Sequence, residues 1–187
     1  LGTALLFVGP DLRIEGTAPP AQWVNGVRQH AGIVNGRSIN VALAPRVCRD
    51  TMSGMPHPLT AEVVVSGRTF RGCGGEPETL LTGVEWVVED IGGTLIDRSR
   101  ATLEFGVDGR LAGRASCNTY STTYKLTGES LTIGATATTM MSCAPSLMEQ
   151  EQRFLAALTE VQRWDFNDIG QLQLWPASGK PIRLWAE

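Results

Sequence analysis

Apolar and polar residues alternate along most of the chain, in short segments bounded by glycine and proline. In residues 38–44, for example, Ile39, Val41 and Leu43 fall on one face, and Pro45 ends the segment. A period of two is typical of a β-strand with one buried face. Similar patterns predict strands at 5–8, 59–65, 68–73, 102–107, 111–115, 120–126, 131–133 and 138–143, around Trp164 and Leu172, and at 181–185 as an edge strand.

Two dipeptides predict tight hairpins between these strands. Ser66-Gly67 separates 59–65 from 68–73, and Asp108-Gly109 separates 102–107 from 111–115. Glycine next to a small polar residue suits the two-residue turns that join antiparallel strands. We therefore expect mostly antiparallel sheets.

A helical period occurs in one region, about residues 146–161. An apolar stripe recurs there every three to four residues, and Ser146 followed by Glu149 fits a capping box. The stripe consists of Leu147, Phe154, Leu155, Leu158 and Val161. The predicted fold class is α+β, with mostly antiparallel β-sheets, one main α-helix and an all-β N-terminal part.

Glycine, proline and acidic residues crowd positions 72–78 and interrupt the apolar pattern. Such a concentration of breakers is typical of a domain boundary. A chain of 187 residues has room for one or two domains. We expect a β-rich domain over 1–76 and a second domain over 78–187.

Composition narrows the class of protein. Glycine and proline together number 31, which favours many turns, and 42% of residues are apolar, which argues against intrinsic disorder. A net charge of −3 is unlike the basic surface of a nucleic-acid binder. No apolar run approaches the roughly 20 residues that span a bilayer as a helix.

The four cysteines, Cys48, Cys73, Cys117 and Cys143, contain no C-x-x-C pair. Zinc and thioredoxin-like sites usually bring such a pair, so disulfides are the preferred interpretation. Of the three possible pairings we favour the local one, Cys48–Cys73 and Cys117–Cys143, because each bond then lies within one predicted domain. Disulfides imply an oxidising compartment such as a periplasm. The alternative is four buried free thiols in a cytosolic protein.

Candidate catalytic and metal-binding groups are sparse. Asp50, Ser53 and His57 could be written as a hydrolytic triad, but three- and four-residue spacings in a proline-rich loop leave little room for the geometry, and no G-x-S-x-G elbow supports it. His57 with Cys48 and Cys73 is a similarly weak metal set. We therefore expect no enzyme activity, no metal and no cofactor.

Charged and aromatic residues outside that loop have ordinary explanations. Arg100, Arg110 and Arg114 could form a small anion-binding patch, but the solvated face of a half-exposed strand explains them better. We expect Glu149 to cap the helix, and Glu151 and Glu160 to be solvated on its surface. The five tryptophans, at 23, 86, 164, 175 and 185, are scattered, which favours core and edge packing over a sugar-binding platform.

Residues 80–187 carry a series of spaced motifs. These are G-x-x-x-C-N ending at Asn118, L-x-I-G ending at Gly134, T-x-M-x-C ending at Cys143, and E-x-x-F-L-x-x-L beginning at Glu151. In these motifs the segment resembles the META domain of the heat-shock protein HslJ family of bacteria. The resemblance implies a compact α+β fold in an envelope or secreted context and brings no established catalytic residues.

Residues 1–76 resemble the C-terminal part of an uncharacterised bacterial envelope domain that is often found in lipoproteins. The matching positions run from Cys48 through Ser53-Gly54 and Pro58 to Gly72-Cys73-Gly74-Gly75.

Together these resemblances predict a non-enzymatic protein of the periplasm or cell envelope with a binding or accessory role in envelope stress response or antibiotic resistance. The expected partner is an unknown envelope protein or small ligand, with no nucleic acid, and with membrane attachment only through a lipid anchor absent from this chain. The alternative function is a small-ligand carrier that binds an apolar or anionic molecule on a sheet face.

Overall fold

The structure is a computed structural model that describes residues 3–96, 100–128 and 130–187. It divides into two compact units. The N-terminal unit comprises the described residues through Asp50 together with His57–Glu76, and the C-terminal unit comprises Thr51–Pro56 and Pro77–Glu187. The predicted boundary at 76–78 places Thr51–Pro56 in the first domain. In the structure this segment groups with the C-terminal unit, and Met55 is buried in the core of that unit.

The N-terminal unit is built from antiparallel strands. A first pair joins β1 to β2, and a five-stranded sheet has the order β3-β4-β5-β8-β9. The short strands β6 and β7 pair with each other. The strands are β1 (Ala4–Val8), β2 (Arg13–Thr17), β3 (Ala21–Val24), β4 (Val27–Val34), β5 (Arg37–Ala44), β6 (Cys48–Arg49), β7 (Pro56–His57), β8 (Leu59–Val65) and β9 (Arg68–Gly74).

Three two-residue turns fix the register of this five-stranded sheet. They are Asn25-Gly26, Asn35-Gly36 and Ser66-Gly67, and both residues of each turn have positive φ. That backbone twist matches the twist of the flanking strands, and asparagine and glycine tolerate it best. The predicted turn at Ser66-Gly67 is confirmed.

The C-terminal unit contains a ten-stranded antiparallel sheet. Its main path is β15-β14-β13-β12-β10-β19-β18-β17, with β11 paired to β10 and β16 to β14. The strands are β10 (Glu85–Ile91), β11 (Thr94–Leu95), β12 (Thr102–Phe105), β13 (Arg110–Arg114), β14 (Thr119–Leu126), β15 (Leu131–Ile133), β16 (Ala137–Thr138), β17 (Val161–Phe166), β18 (Leu172–Pro176) and β19 (Ile182–Ala186).

The sheet of the C-terminal unit curls on itself, because its two end strands, β15 and β17, contact each other. Helix α1 (Pro145–Thr159) contacts β10 and β15, and a short 3-10 helix spans Pro77–Leu80. Phe154 and Leu158 of α1 are fully buried and complete the core. The predicted α+β fold class is confirmed.

Two local predictions are wrong in detail. The strand expected at 138–143 is limited to Ala137–Thr138. Thr139 still donates its backbone N–H to the carbonyl of Thr119 in β14, but the N–H of Met141 goes to the side chain of Asn118 instead of to a strand. The capping box is absent: the N-cap is Ala144, which makes no side-chain capping bond. Pro145 instead starts the helix, where its missing N–H costs nothing.

The C-terminal strand is central rather than an edge strand. Strand β19 lies between β10 and β18 and is hydrogen-bonded on both sides. Strand addition at this segment, which an edge strand would permit, is therefore blocked. None of the helices in the described residues is long and apolar enough to cross a membrane.

Candidate functional site

The spaced motifs of the C-terminal unit converge on one buried polar pair, Asn118 and Glu151. The Glu151 carboxylate accepts hydrogen bonds from the backbone N–H of Asn118 at 2.6 Å and from its side-chain amide at 2.9 Å. Both residues are buried, with exposed fractions of 4% and 9%. A buried carboxylate is tolerated only when hydrogen bonds replace its water, and these two bonds do so.

The other side of Asn118 fixes the chain before the helix. Its side-chain oxygen Oδ1 accepts hydrogen bonds from the hydroxyl of Thr139 at 2.8 Å and from the backbone N–H of Met141 at 2.7 Å. On α1, Gln150 donates from its amide to the hydroxyl of Ser116 at 2.8 Å. This network, which we call the motif cluster, ties the end of β13, the start of β14, the segment after β16 and the helix together.

The sequence interpretation of the helix glutamates needs correction. Glu151 is not solvated but is the buried acceptor of the motif cluster. Glu149 is exposed, and no side chain caps the helix. The carboxylate can be buried because Asn118 donates two hydrogen bonds to it, and Asn118 lies 33 residues away in sequence, where a local pattern does not reveal it.

A second polar feature lies on the outer face of the sheet. Cross-strand register places Asp90, Arg183, Gln173 and Asp165 in one row across β10, β19, β18 and β17. The flanking residues of β18 and β19 are buried in the core, so the row points away from it. An irregularity of register between Val88 and Asp90 brings Asp90 into the row, as a β-bulge does.

Asp90 organises this part of the sheet. It is 1% exposed, and its carboxylate pairs with the Arg183 guanidinium and accepts the backbone N–H of Gly93 at 2.8 Å. The neighbouring Gly92 N–H donates to the Pro181 carbonyl at 3.1 Å, which fastens the turn after β10 to the loop before β19. A cavity of about 340 Å³ lies here, which we call the outer-face cavity. Its walls include Asp90, Gly93, Gln173, Trp175, Lys180 and Arg183.

Two disulfides are present, one in each unit. Cys48 bonds Cys73, and Cys117 bonds Cys143, which is the pairing preferred from the sequence. Cys117 directly precedes Asn118. Its bond to Cys143 therefore fixes the same segment before the helix that Asn118 holds at Met141. No free cysteine occurs among the described residues.

The META domain family model matches residues 79–187. The chain belongs to the META domain family. The match covers more than half of the chain and contains the whole motif cluster. Membership supports at most an accessory role associated with the envelope.

Two solved structures are similar to the chain. One, the NMR structure of a protein that is 28% identical, covers 59% of this chain and 94% of its own chain, with a TM-score of 0.47. The other, an NMR structure of a protein from Burkholderia xenovorans, is 24% identical, covers 58% of this chain and 85% of its own, and has the same TM-score of 0.47. The comparison with curated proteins found no match.

The structure places the weak triad and metal candidates in structural roles. His57 uses Nδ1 for the carbonyl of Gly75, at 2.9 Å, and Ser53 accepts the backbone N–H of Met55 at 3.3 Å. A triad histidine needs both ring nitrogens, one for the acid and one for the nucleophile. The metal set loses its thiolates, because Cys48 and Cys73 form a disulfide.

The arginines proposed as an anion patch lie on the surface of the META domain, and two of them are ion-paired. Arg100 pairs with Glu187, and Arg110 lies 3.4 Å from Asp108. Arg110 and Arg114 are exposed on β13, which fits the solvated strand face. The tryptophans are scattered over the structure, as the sequence indicated. Their exposure ranges from buried Trp86 to Trp23, which is 69% exposed.

The N-terminal unit has a cavity of its own, of about 310 Å³. Its lining is almost entirely apolar and includes Leu5, Phe7, His30, Ile39, Val41 and Val63. Nδ1 of His30 lies 2.8 Å from the carbonyl oxygen of Pro19. Since a carbonyl only accepts, Nδ1 is the donor and Nε2 of the neutral ring is left as an acceptor.

Sequence reasoning missed the outer-face cavity. Its residues come from strands that meet only in the fold, and Asp90 and Arg183 are 93 positions apart. A weak signal was present: Asp90 interrupts an apolar strand, and Arg183 stands between Ile182 and Leu184. Only the register of β10 with β19 turns these separate interruptions into a site.

Proposed function

We propose that this META-domain protein is an exported, non-enzymatic accessory protein of the bacterial cell envelope that acts by binding. The observation that carries the proposal is that each unit contains a disulfide. Disulfides persist in oxidising compartments and are rare in the cytosol. The setting we propose is envelope stress response or antibiotic resistance, with the periplasm as the compartment and a lipid anchor as the means of any membrane attachment.

The non-enzymatic part of the proposal is supported by how the candidate catalytic groups are used. His30 and His57 each hydrogen-bond a backbone carbonyl. Within residues 3–96, 100–128 and 130–187, no cluster of three or more His, Cys, Asp and Glu side chains could hold a metal ion. The buried carboxylates of Asp90 and Glu151 have hydrogen-bond partners that hold loops in place.

The test is to trap thiols with a maleimide before the native host is lysed, then to fractionate the cells and map peptides without reduction. We expect the protein outside the cytosol, with Cys48 linked to Cys73 and Cys117 linked to Cys143. Four maleimide-labelled cysteines in protein from the cytosolic fraction would contradict the proposal.

A second candidate function, a carrier of a small apolar ligand, is favoured by the cavity of the N-terminal unit. A neutral fluorescent amine such as N-phenyl-1-naphthylamine serves as the probe. We expect its fluorescence to rise on binding, and Val41→Phe, which fills the cavity, to remove the rise. Val24→Phe is the matched control on an exposed position. An equal signal from both variants would exclude this cavity as the binding site.

A further inference from the structure

The outer-face cavity of the C-terminal unit presents hydrogen-bond donors and one unbalanced positive charge. Asp90 and Arg183 neutralise each other as an ion pair. Lys180 makes no ion pair within the described part of the chain, so its ammonium is the remaining charge in the wall. Asp165, the other carboxylate of the row, is not part of the wall. A wall with one net positive charge favours an anion.

The carboxylate of Asp90 does not compete for that ammonium. One of its oxygens accepts the N–H of Gly93 and the other pairs with Nε of Arg183. A guanidinium has five N–H donors, and Arg183 uses only Nε in this pair, which leaves its terminal amino groups for another acceptor. Asp90 therefore positions Arg183.

Two neutral donors complete the set. Gln173 lies in the same cross-strand row, next to Arg183, and its side-chain amide has no partner within the described residues. The indole Nε1 of Trp175 is buried and has no hydrogen-bond partner among the described residues, and the same is true of Trp164 in the core. A buried N–H without an acceptor costs free energy, so a ligand oxygen that reaches this indole replaces the missing acceptor.

The cavity is preorganised. Arg163 stacks over the Trp175 ring with its guanidinium carbon 4.5 Å from the ring centroid, which fixes the indole. The Lys180 stem lies against the turn after β10, so closely that a Cβ on Gly93 would come within 2.9 Å of Lys180 Cδ. Donors held in place before binding lose little entropy when a ligand arrives.

We propose that the outer-face cavity binds a small organic carboxylate, held by the Lys180 ammonium and by hydrogen bonds from Arg183, Gln173 and Trp175. A carboxylate supplies acceptor oxygens without donors, which matches a wall of donors. The cavity volume of about 340 Å³ admits a molecule of a few heavy atoms beyond the carboxylate. This inference is independent of the proposed compartment, since binding is measured on the purified protein.

The experiment is an amide and indole NMR titration of the full chain with benzoate, and with benzamide as the neutral isostere. Trp175→Phe assigns the Trp175 indole signal among the five tryptophans. We expect benzoate to shift that signal and benzamide to leave it in place. No benzoate-dependent shift of the Trp175 indole, or equal binding of benzamide, would overturn the proposal.

The two lysines of the chain give a matched pair of variants. Lys180→Met keeps the aliphatic stem on Gly93 and removes the charge, and we expect benzoate binding to weaken by about tenfold, the loss of one charged contact. Lys125→Met makes the same charge change at an exposed position of β14, and we expect it to leave benzoate binding within about twofold of the native protein. Equal weakening by both would refute a local role for Lys180.

A second variant keeps the proposal testable if Lys180→Met perturbs the loop. Gln173→Glu preserves shape and adds a carboxylate to the wall, so benzoate binding is lost while the amide spectrum of the core strands stays that of the native fold. Retained benzoate binding by Gln173→Glu would contradict the assignment.

Discussion

The two units reach their folds by different means. Of the described residues, four buried apolar side chains, Ile14, Val34, Ile39 and Val65, form the core of the N-terminal unit, whereas 22 form that of the C-terminal unit. Each unit nevertheless has one disulfide across a similar separation, 25 and 26 residues. A bond across about 25 residues contributes about 3 kcal/mol by restricting the unfolded chain. That contribution is a much larger share of the stability of a unit with a small core.

The two units are therefore destabilised by different changes. Burial of apolar surface is the dominant favourable term in folding, and it scales with the area buried. The N-terminal unit buries little, so it depends on turn geometry and on Cys48–Cys73. The large core of the C-terminal unit is enough to stabilise its fold. The motif cluster and the disulfide of this unit therefore fix the segment before the helix rather than the whole fold.

The largest expected effect comes from core truncation. Phe154→Ala removes a fully buried ring that packs edge-on against Tyr120, with centroids 5.8 Å apart, and we expect a loss of about 3–5 kcal/mol in the unfolding of the C-terminal unit. Ile39→Ala removes about 2–5 kcal/mol from the N-terminal unit, enough to unfold it. Hydrogen exchange resolved by peptide measures both.

The control for Ile39→Ala is Ile33→Ala in the same sheet, because Ile33 is 77% exposed. We expect Ile33→Ala to leave exchange in the N-terminal unit unchanged. An Ile39→Ala protein whose N-terminal unit keeps native protection would show that this unit does not depend on its small core.

The motif cluster gives a smaller, local effect. Glu151→Gln keeps the volume of the side chain, but its amide NH₂ must face one of the two Asn118 donors. We expect a loss of about 1–3 kcal/mol in urea unfolding and faster exchange of the Met141 amide. Glu149→Gln, two residues earlier and exposed, is the control and changes stability by less than about 0.5 kcal/mol. Equal effects of the two variants would contradict the buried role of Glu151.

Alkaline pH affects the C-terminal unit through its two tyrosines, the only ones in the chain. Burial raises the pKa of Tyr120 well above its usual value near 10; burial and a 2.5 Å hydrogen bond to Glu78 do the same for Tyr124. The folded state therefore holds these protons more tightly than the unfolded chain. The stability that the two protonated tyrosines give to the folded state is therefore complete below about pH 10 and declines as pH rises above it.

The measurement for the tyrosines is absorbance of tyrosinate as pH is raised. We expect both to ionise together, in the cooperative unfolding of the C-terminal unit, rather than in a simple titration near pH 10. Ionisation of either tyrosine near pH 10 with the near-ultraviolet circular dichroism unchanged would refute their protection.

The smallest effect concerns the helix start. Ala144 is the N-cap and makes no capping bond, so Ala144→Ser adds a hydroxyl that can accept a first-turn N–H, and we expect a gain of about 0.5–1 kcal/mol. Ser146→Ala is the control and has almost no effect, because Ser146 lies inside the helix. A large loss from Ser146→Ala would restore the capping box predicted from the sequence.

These features also indicate what a single sequence can predict. Strand positions such as 120–126 follow from local alternation, and Ser66-Gly67 follows from local turn chemistry, so both were predictable. The central place of β19 was not, because it depends on pairing with β10, more than 90 residues away. The same long-range register creates the outer-face cavity. The contact of Asn118 with Glu151 also joins residues far apart in sequence, but it depends on where helix α1 packs.

The most direct test of the account is hydrogen exchange of the native protein with and without a thiol reductant. We predict that reduction of Cys48–Cys73 brings β4, β5, β8 and β9 to rapid exchange, while β10, β12, β14 and β19 stay protected. That result would mean that the N-terminal unit requires an oxidising compartment, as the proposed export demands. Unchanged protection of β5 and β8 in the fully reduced protein would contradict the account.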